Sequence, residues 1–226
     1  MDGTLIHRLP RRVFFIQDYL AKHGIKMTEA QSKEAGRWSH KFWEGVTTYD
    51  PNGDQGEENP WDQFWLDYLD HYTEILDLPR GSLDSLFETL AIKIEEKRGV
   101  EQLMPGALEV LPCLAERGYR LGVLSNRHKP IQPVIERHGL GEFFEVVRSS
   151  GELESEKPSP EIFHRYLEIF DGKPKESLYV GDNYWLDGLG AKAAGLEPLL
   201  LDMYGWFEDF DIQTISHLDQ LIIFLA

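Results

Sequence analysis

From Met104 onward, short apolar runs alternate with amphipathic stretches, and few folds accept that rhythm. The spacing predicts helices over 107–117, 131–138, 160–170 and 186–194, each followed by an apolar strand, at 119–124, 144–148, 177–180 and 198–201. A last helix is expected over 217–225. Strands separated by helices do not close as hairpins; they pair in parallel through right-handed crossovers. The expected class is therefore α/β, with a doubly wound, Rossmann-like parallel sheet. Function in such a sheet gathers beyond the carboxyl ends of its strands.

The first half follows another pattern. Residues 10–98 carry few strand signals and read as successive helices. Over 11–23, Val13, Phe14, Ile16, Tyr19 and Leu20 recur at helical spacing, and Gly24 is placed to end the helix. Thr28-Glu29-Ala30-Gln31 has the form of a capping box before a helix bearing Trp38, Phe42 and Trp43. The polar, acidic stretch 47–59 reads as a loop, and Asn59-Pro60 as the cap and first turn of a third helix. Trp61, Phe64, Trp65, Tyr68 and Tyr72 follow along it and read chiefly as the core of a helix bundle. A fourth helix is expected from Ser82 to about Lys97. A chain of 226 residues has room for one main core and a smaller insert. The core is assigned to 1–10 and 104–226, the helical insert to 11–103.

Charge narrows the function. With 39 acidic against 23 basic residues, the net charge is −16. A nucleic-acid binder needs a basic face for the phosphate backbone, and an anionic membrane would repel this surface. No apolar run is long enough to span a bilayer and no signal peptide opens the sequence. Cys113 is the one cysteine, which excludes an internal disulfide and suits a reducing cytoplasm; beside Leu111 and Leu114 it reads as a packed thiol. Phosphorylated ligands stay open to such a chain if a metal ion inverts the local field.

Four polar clusters stand at the strand ends or where a strand end would be. Asp2-Gly3-Thr4 opens the chain, Ser125-Asn126 follows Leu124, Lys157-Pro158 precedes a helix, and Gly181-Asp182 follows Val180, with Asp187 five positions on. Each has a local alternative: a turn at Asp2-Gly3, a helix cap at Ser125 or Asp182, a solvated charge at Lys157. In this order, at successive strand ends, they read together as one site.

These clusters resemble the haloacid dehalogenase-like (HAD) superfamily over most of the chain. Asp2-Gly3-Thr4-Leu5 matches the latter part of its first motif, Asp-x-Asp-Gly-Thr, and Ser125 matches its second. Lys157 matches the third, and Gly181-Asp182 with Asp187 the fourth, flanked by Leu178-Tyr179-Val180 and by Ala191, Ala194 and Gly195. The insert resembles the helical type-one cap of the phosphoglycolate-phosphatase-like group.

The resemblance implies a magnesium-dependent phosphatase acting on a small phosphorylated metabolite through an aspartyl-phosphate. Asp2 would protonate the leaving oxygen and then activate water, its backbone carbonyl also ligating Mg2+. Ser125 and the amide of Asn126 would hold phosphate oxygens, Lys157 would offset charge, and Thr4 would orient the loop. Asp182 would be the metal ligand, supported by Asp187 directly or through water. An acid at Asp2 favours phosphate esters over organohalides, whose halide leaves without a proton.

The family's nucleophile would stand immediately before Met1, so the chain by itself is expected to be a very poor phosphatase. Residues before the motif would form a central strand buried on both faces. Burying four or five apolar side chains there would contribute on the order of 10 kcal/mol, comparable to a whole domain's stability of about 5–15 kcal/mol. A natural start several residues upstream is therefore expected in preference to a protein that has lost activity. The rivals are a phosphomutase sharing the motifs and a catalytically inactive HAD-fold binding protein. Substrate identity and oligomeric state are not legible.

Overall fold

The computed structural model describes residues 1–9, 11–45, 60–96 and 100–226; the loop expected over 47–59 lies outside them. The chain divides into two units, Arg8–Glu101 and, made of two segments, Met1–His7 with Gln102–Ala226. It passes between them in strands β1 (Ile6–Leu9) and β2 (Val100–Leu103), which pair as a two-stranded ribbon.

The Arg8–Glu101 unit is otherwise helical: α1 (Arg12–Lys22), α2 (Glu29–Lys41), α3 (Pro60–Ile75) and α4 (Asp84–Glu96). The capping box before α2 forms, with Thr28 Oγ1 accepting the Gln31 N–H at 3.3 Å and Gln31 Oε1 accepting the Thr28 N–H at 2.9 Å. Its core collects Val13, Ile16 and Leu20 from α1, Tyr68, Leu69 and Tyr72 from α3, and Phe87, Leu90 and Ile94 from α4. Trp38 is half-buried and donates its indole N–H to the Tyr68 carbonyl at 3.2 Å. The side chains of Trp61, Phe64 and Trp65 lie outside the described residues.

The other unit alternates as expected: α5 (Ala107–Glu116), β3 (Gly122–Ser125), α6 (Gln132–Arg137), β4 (Val146–Ser149), α7 (Ser150–Leu153), α8 (Pro160–Phe170), β5 (Leu178–Gly181), α9 (Gly190–Ala193), β6 (Glu197–Leu201), β7 (Thr214–Ile215) and α10 (Gln220–Phe224). Strands pair in parallel, β3 with β4, β5 with β6, and β6 with β7. The hydrogen bonds divide these strands into two sheets, β3-β4 and β5-β6-β7.

Side-chain alternation shows that both carry helices on two faces. Leu178 and Val180 pack with α5 and α10, whereas Tyr179 packs with α8 and α9. Likewise Val123 joins a cluster with Ile131 and Ile135 of the α6 region, and its neighbour Leu124 joins α8. The class is thus α/β and Rossmann-like, with a helical insertion. Among the described residues, no helix is long and apolar enough to cross a membrane.

Candidate active site

Each residue expected at the strand ends lies in the Met1–His7 and Gln102–Ala226 unit. The chain opens in a tight turn, with the Met1 carbonyl accepting the Leu5 N–H at 2.8 Å and Gly3 N–H donating to the Ile6 carbonyl at 2.7 Å. Gly3 has φ +76°, and a Cβ on it would overlap the Asp182 carboxylate. Only glycine lets this backbone lie against that side chain. Thr4, buried, donates its hydroxyl to Asp182 Oδ1 at 3.3 Å. The first and fourth motifs, 178 residues apart, are therefore joined by a close backbone approach and a hydrogen bond.

Ser125, buried at the end of β3, accepts the Arg127 N–H on its Oγ at 3.2 Å. Asn126 turns its side chain to the Lys157 backbone: Nδ2 donates to the Lys157 carbonyl at 2.8 Å, and Oδ1 accepts the Lys157 N–H at 2.8 Å. This two-way clamp fixes the chain where the lysine emerges. No local pattern in the sequence announces it.

Lys157 and Asp187 meet inside the protein, Nζ 2.5 Å from Oδ1. Nζ also donates to the Tyr179 hydroxyl at 3.1 Å, and that hydroxyl lies 3.4 Å from both Asp187 Oδ1 and the Leu124 carbonyl. Tyr179 thereby links β5 to the end of β3. Burial by itself would push the lysine down and the carboxylate up, but their attraction reverses both, so Lys157 titrates above its ordinary value and Asp187 below. Burial holds the Tyr179 hydroxyl above its ordinary range. The second oxygen of Asp187 accepts the Asn183 N–H at 3.0 Å. Asn183 in turn caps a π-helical turn over Tyr184–Leu189, its Oδ1 accepting the N–H groups of Trp185 and Leu186, each at 3.0 Å.

Asp2 has a partner that the sequence reading missed. Arg127 grips it through two bonds, Nε to Oδ2 at 2.9 Å and a terminal nitrogen to Oδ1 at 2.5 Å. The two residues are 125 positions apart, and only the meeting of the Asp2 turn with the loop after β3 reveals the pair.

Magnesium requires hard oxygen donors. Asp182 fits, as a half-buried carboxylate steadied by Thr4 and flanked by the Gly3 backbone. Asp187 accepts from Lys157 Nζ on one oxygen and from the Asn183 N–H on the other, which braces the site. Asp2 keeps its carboxylate on Arg127. Among the described residues, no three acidic, histidine or cysteine side chains form a ready-made cage. Magnesium commonly binds through one or two carboxylates, retaining water and taking substrate oxygens, and Asp182 with the adjoining Asp2 loop suits that mode.

A sequence profile of the haloacid dehalogenase-like hydrolases matches residues 1–195. Over 187 residues the chain is 27% identical to haloacid dehalogenase-like hydrolase domain-containing protein 3 of Bos taurus, covering 81% of this chain and 73% of that one. Over 121 residues it is 34% identical to the glyceraldehyde 3-phosphate phosphatase of Pyrococcus furiosus, covering 53% of this chain and 50% of that one. Among solved structures, a HAD phosphatase from Thermococcus onnurineus superposes with a TM-score of 0.57 at 22% identity, covering 100% of this chain and 95% of that one.

Proposed function

We propose that this chain, which belongs to the haloacid dehalogenase-like hydrolases, is a magnesium-dependent phosphatase of small phosphorylated metabolites working through an aspartyl-phosphate. The observation that carries the reading is the close approach of Gly3 to Asp182, which brings the loop of the expected acid–base residue, Asp2, to the expected metal ligand. The buried Lys157 and the Ser125 hydroxyl at the end of β3 add the cation and the phosphate donor such a reaction needs. Residence in the cytoplasm belongs to the same proposal, supported by the lone thiol of Cys113.

The nucleophile is assigned to an aspartate at the position before Met1. The Met1 carbonyl accepts the Leu5 N–H in the turn whose Gly3 lies against Asp182, which supports placing the reacting atoms beside it. In the first step a carboxylate oxygen bonds phosphorus, the bond to the leaving oxygen breaks, and Asp2 gives that oxygen a proton. In the second, water attacks the phosphorus of the aspartyl-phosphate while Asp2 takes a proton from that water; the bond to the aspartate oxygen breaks and inorganic phosphate leaves. Ser125 donates to a phosphoryl oxygen, and Lys157 offsets negative charge from a position braced by Asp187 and Asn126. Asp182 and the Asp2 loop would hold magnesium, which would supply further charge neutralisation for the phosphoryl oxygens.

The test compares magnesium-dependent hydrolysis of p-nitrophenyl phosphate by the 226-residue chain and by a form carrying an apolar strand and an aspartate before Met1. Hydrolysis by the extended form alone, abolished when the added aspartate becomes asparagine, is expected. A folded extended protein inert on this ester and on a panel of phosphorylated metabolites overturns the reading.

A further inference from the structure

We infer that Arg127 selects phosphate esters whose leaving alcohol carries a second anion, either a carboxylate or another phosphate; the inference deepens the phosphatase reading and rests on it. The observation is the two-pronged grip of Arg127 on Asp2. A guanidinium fork holding a carboxylate through parallel bonds is a receptor of the right shape for carboxylate or phosphate. Here it occupies itself with the side chain proposed to protonate the leaving oxygen. A group bonded to that guanidinium therefore lies next to the leaving alcohol, not next to the transferred phosphoryl.

The receptor is built and reachable. Its backbone is tied at both sides, the Arg127 N–H on Ser125 Oγ at 3.2 Å and the Arg127 carbonyl accepting the Ser150 hydroxyl at 3.2 Å. Gly151 then packs so tightly on the His128 carbonyl that a Cβ would overlap it. The loop is thus set in place while the paired side chains face water, Arg127 27% and Asp2 48% exposed. Lys157, by contrast, is 7% exposed and bonded to Asp187. In a chain of net charge −16, an entering dianion needs a local cation that solvent can reach, and Arg127 supplies it. An anion that takes the guanidinium also releases the Asp2 carboxylate for proton transfer. The geometry thus couples recognition of the second anion to freeing the acid–base group.

The test is calorimetric binding to the 226-residue chain in magnesium, with three probes sharing a two-carbon leaving alcohol: ethyl phosphate, 2-phosphoglycolate and ethane-1,2-diol bisphosphate. The native chain is expected to bind at least one doubly anionic probe about tenfold or more tighter than ethyl phosphate, as a charge-assisted contact implies. Which probe gains shows whether the fork takes carboxylate or phosphate. In Arg127→Gln the preference should fall to about onefold, and Arg127→Lys, which keeps charge but loses the fork, should retain part of it. A preference unchanged in Arg127→Gln, from chelation of magnesium for example, overturns the inference, as does a native chain that binds all three alike or none. A clear Arg127-dependent preference without hydrolysis by the extended form would sink the phosphatase reading while leaving this recognition intact. Thermal melting of each variant shows whether it is folded.

Discussion

Lys157 and Asp187 stand 2.5 Å apart with side chains 7% and 6% exposed, and each is the reason the other can be charged inside the protein. Burial alone would neutralise either one. Tyr179 and the Asn183 N–H take up the remaining bonding capacity, so the pair is a satisfied network and not two isolated ions.

Removing one partner leaves the other stranded. Lys157→Met is expected to destabilise the protein by about 3–5 kcal/mol, because Asp187 remains buried without its cation. The double variant Lys157→Met, Asp187→Leu should cost less than that single change, since it leaves no uncompensated charge. Urea denaturation of the three proteins checks this, and a double variant worse than the single would show the network to be held by packing.

The pH profile has a sign at each end. Asp187, raised by burial but lowered more by Lys157 and its other partners, titrates below its unfolded value of about 3.9. Its contribution to stability is present above that value and is lost as pH falls through the depressed folded one. Lys157 and Tyr179 are shifted upward from unfolded values of about 10.4 and 10. Their contributions are present below those values and are lost as pH rises past them. Denaturation midpoints should therefore hold a plateau between about pH 5 and 9 and fall on both sides. Tyr179→Phe should make the alkaline fall shallower; an alkaline limb identical to native would refute the role given to that hydroxyl.

Gly3→Ala tests the close approach of the two motifs. The new Cβ would meet the Asp182 carboxylate at a position with φ +76°, so the loop or the carboxylate has to move. A loss of magnesium affinity of about tenfold or more is expected, measured by calorimetry with magnesium chloride. Gly24→Ala is the control, with φ +83° but nothing within 4 Å of the added carbon. It should cost about 1 kcal/mol of stability and leave metal binding alone.

Asn126→Ala removes both bonds that clamp the Lys157 backbone. The expected cost is about 1–3 kcal/mol, with turnover by the extended form falling about tenfold as the ammonium loses its placement. Urea denaturation and kcat measured on p-nitrophenyl phosphate report the two effects separately. Unchanged kcat in a destabilised protein would reduce Asn126 to a structural role.

Much of this was legible locally. The helix expected over 160–170 is α8, Pro160–Phe170, whose Ser159 cap and proline start are written in the sequence. The strand expected over 119–124 begins only at Gly122, because Tyr119 and Arg120 turn outward to bond Leu225, Glu145 and Phe170. The helix expected over 186–194 starts earlier, in the π-helical turn that Asn183 caps. Strands β1 and β2 lie outside the expected elements, because Ile-His-Arg-Leu and Val-Glu-Gln-Leu are broken by polar residues and show no apolar run. Helix α7 was also missed, although Ser149 and Glu152 spell its capping box.

What the sequence determined by itself was the kind and order of the elements, and which residue types stand at the strand ends. Periodicity, caps and turn glycines act over a few residues, so neighbours in the chain suffice to express them. Only the tertiary structure decided who meets whom: Arg127 on Asp2, Asn126 on the Lys157 backbone, Asp187 on Lys157. Those pairings join residues 30 to 125 positions apart. Their charge states follow from burial and from partners that exist only once the loops are brought together.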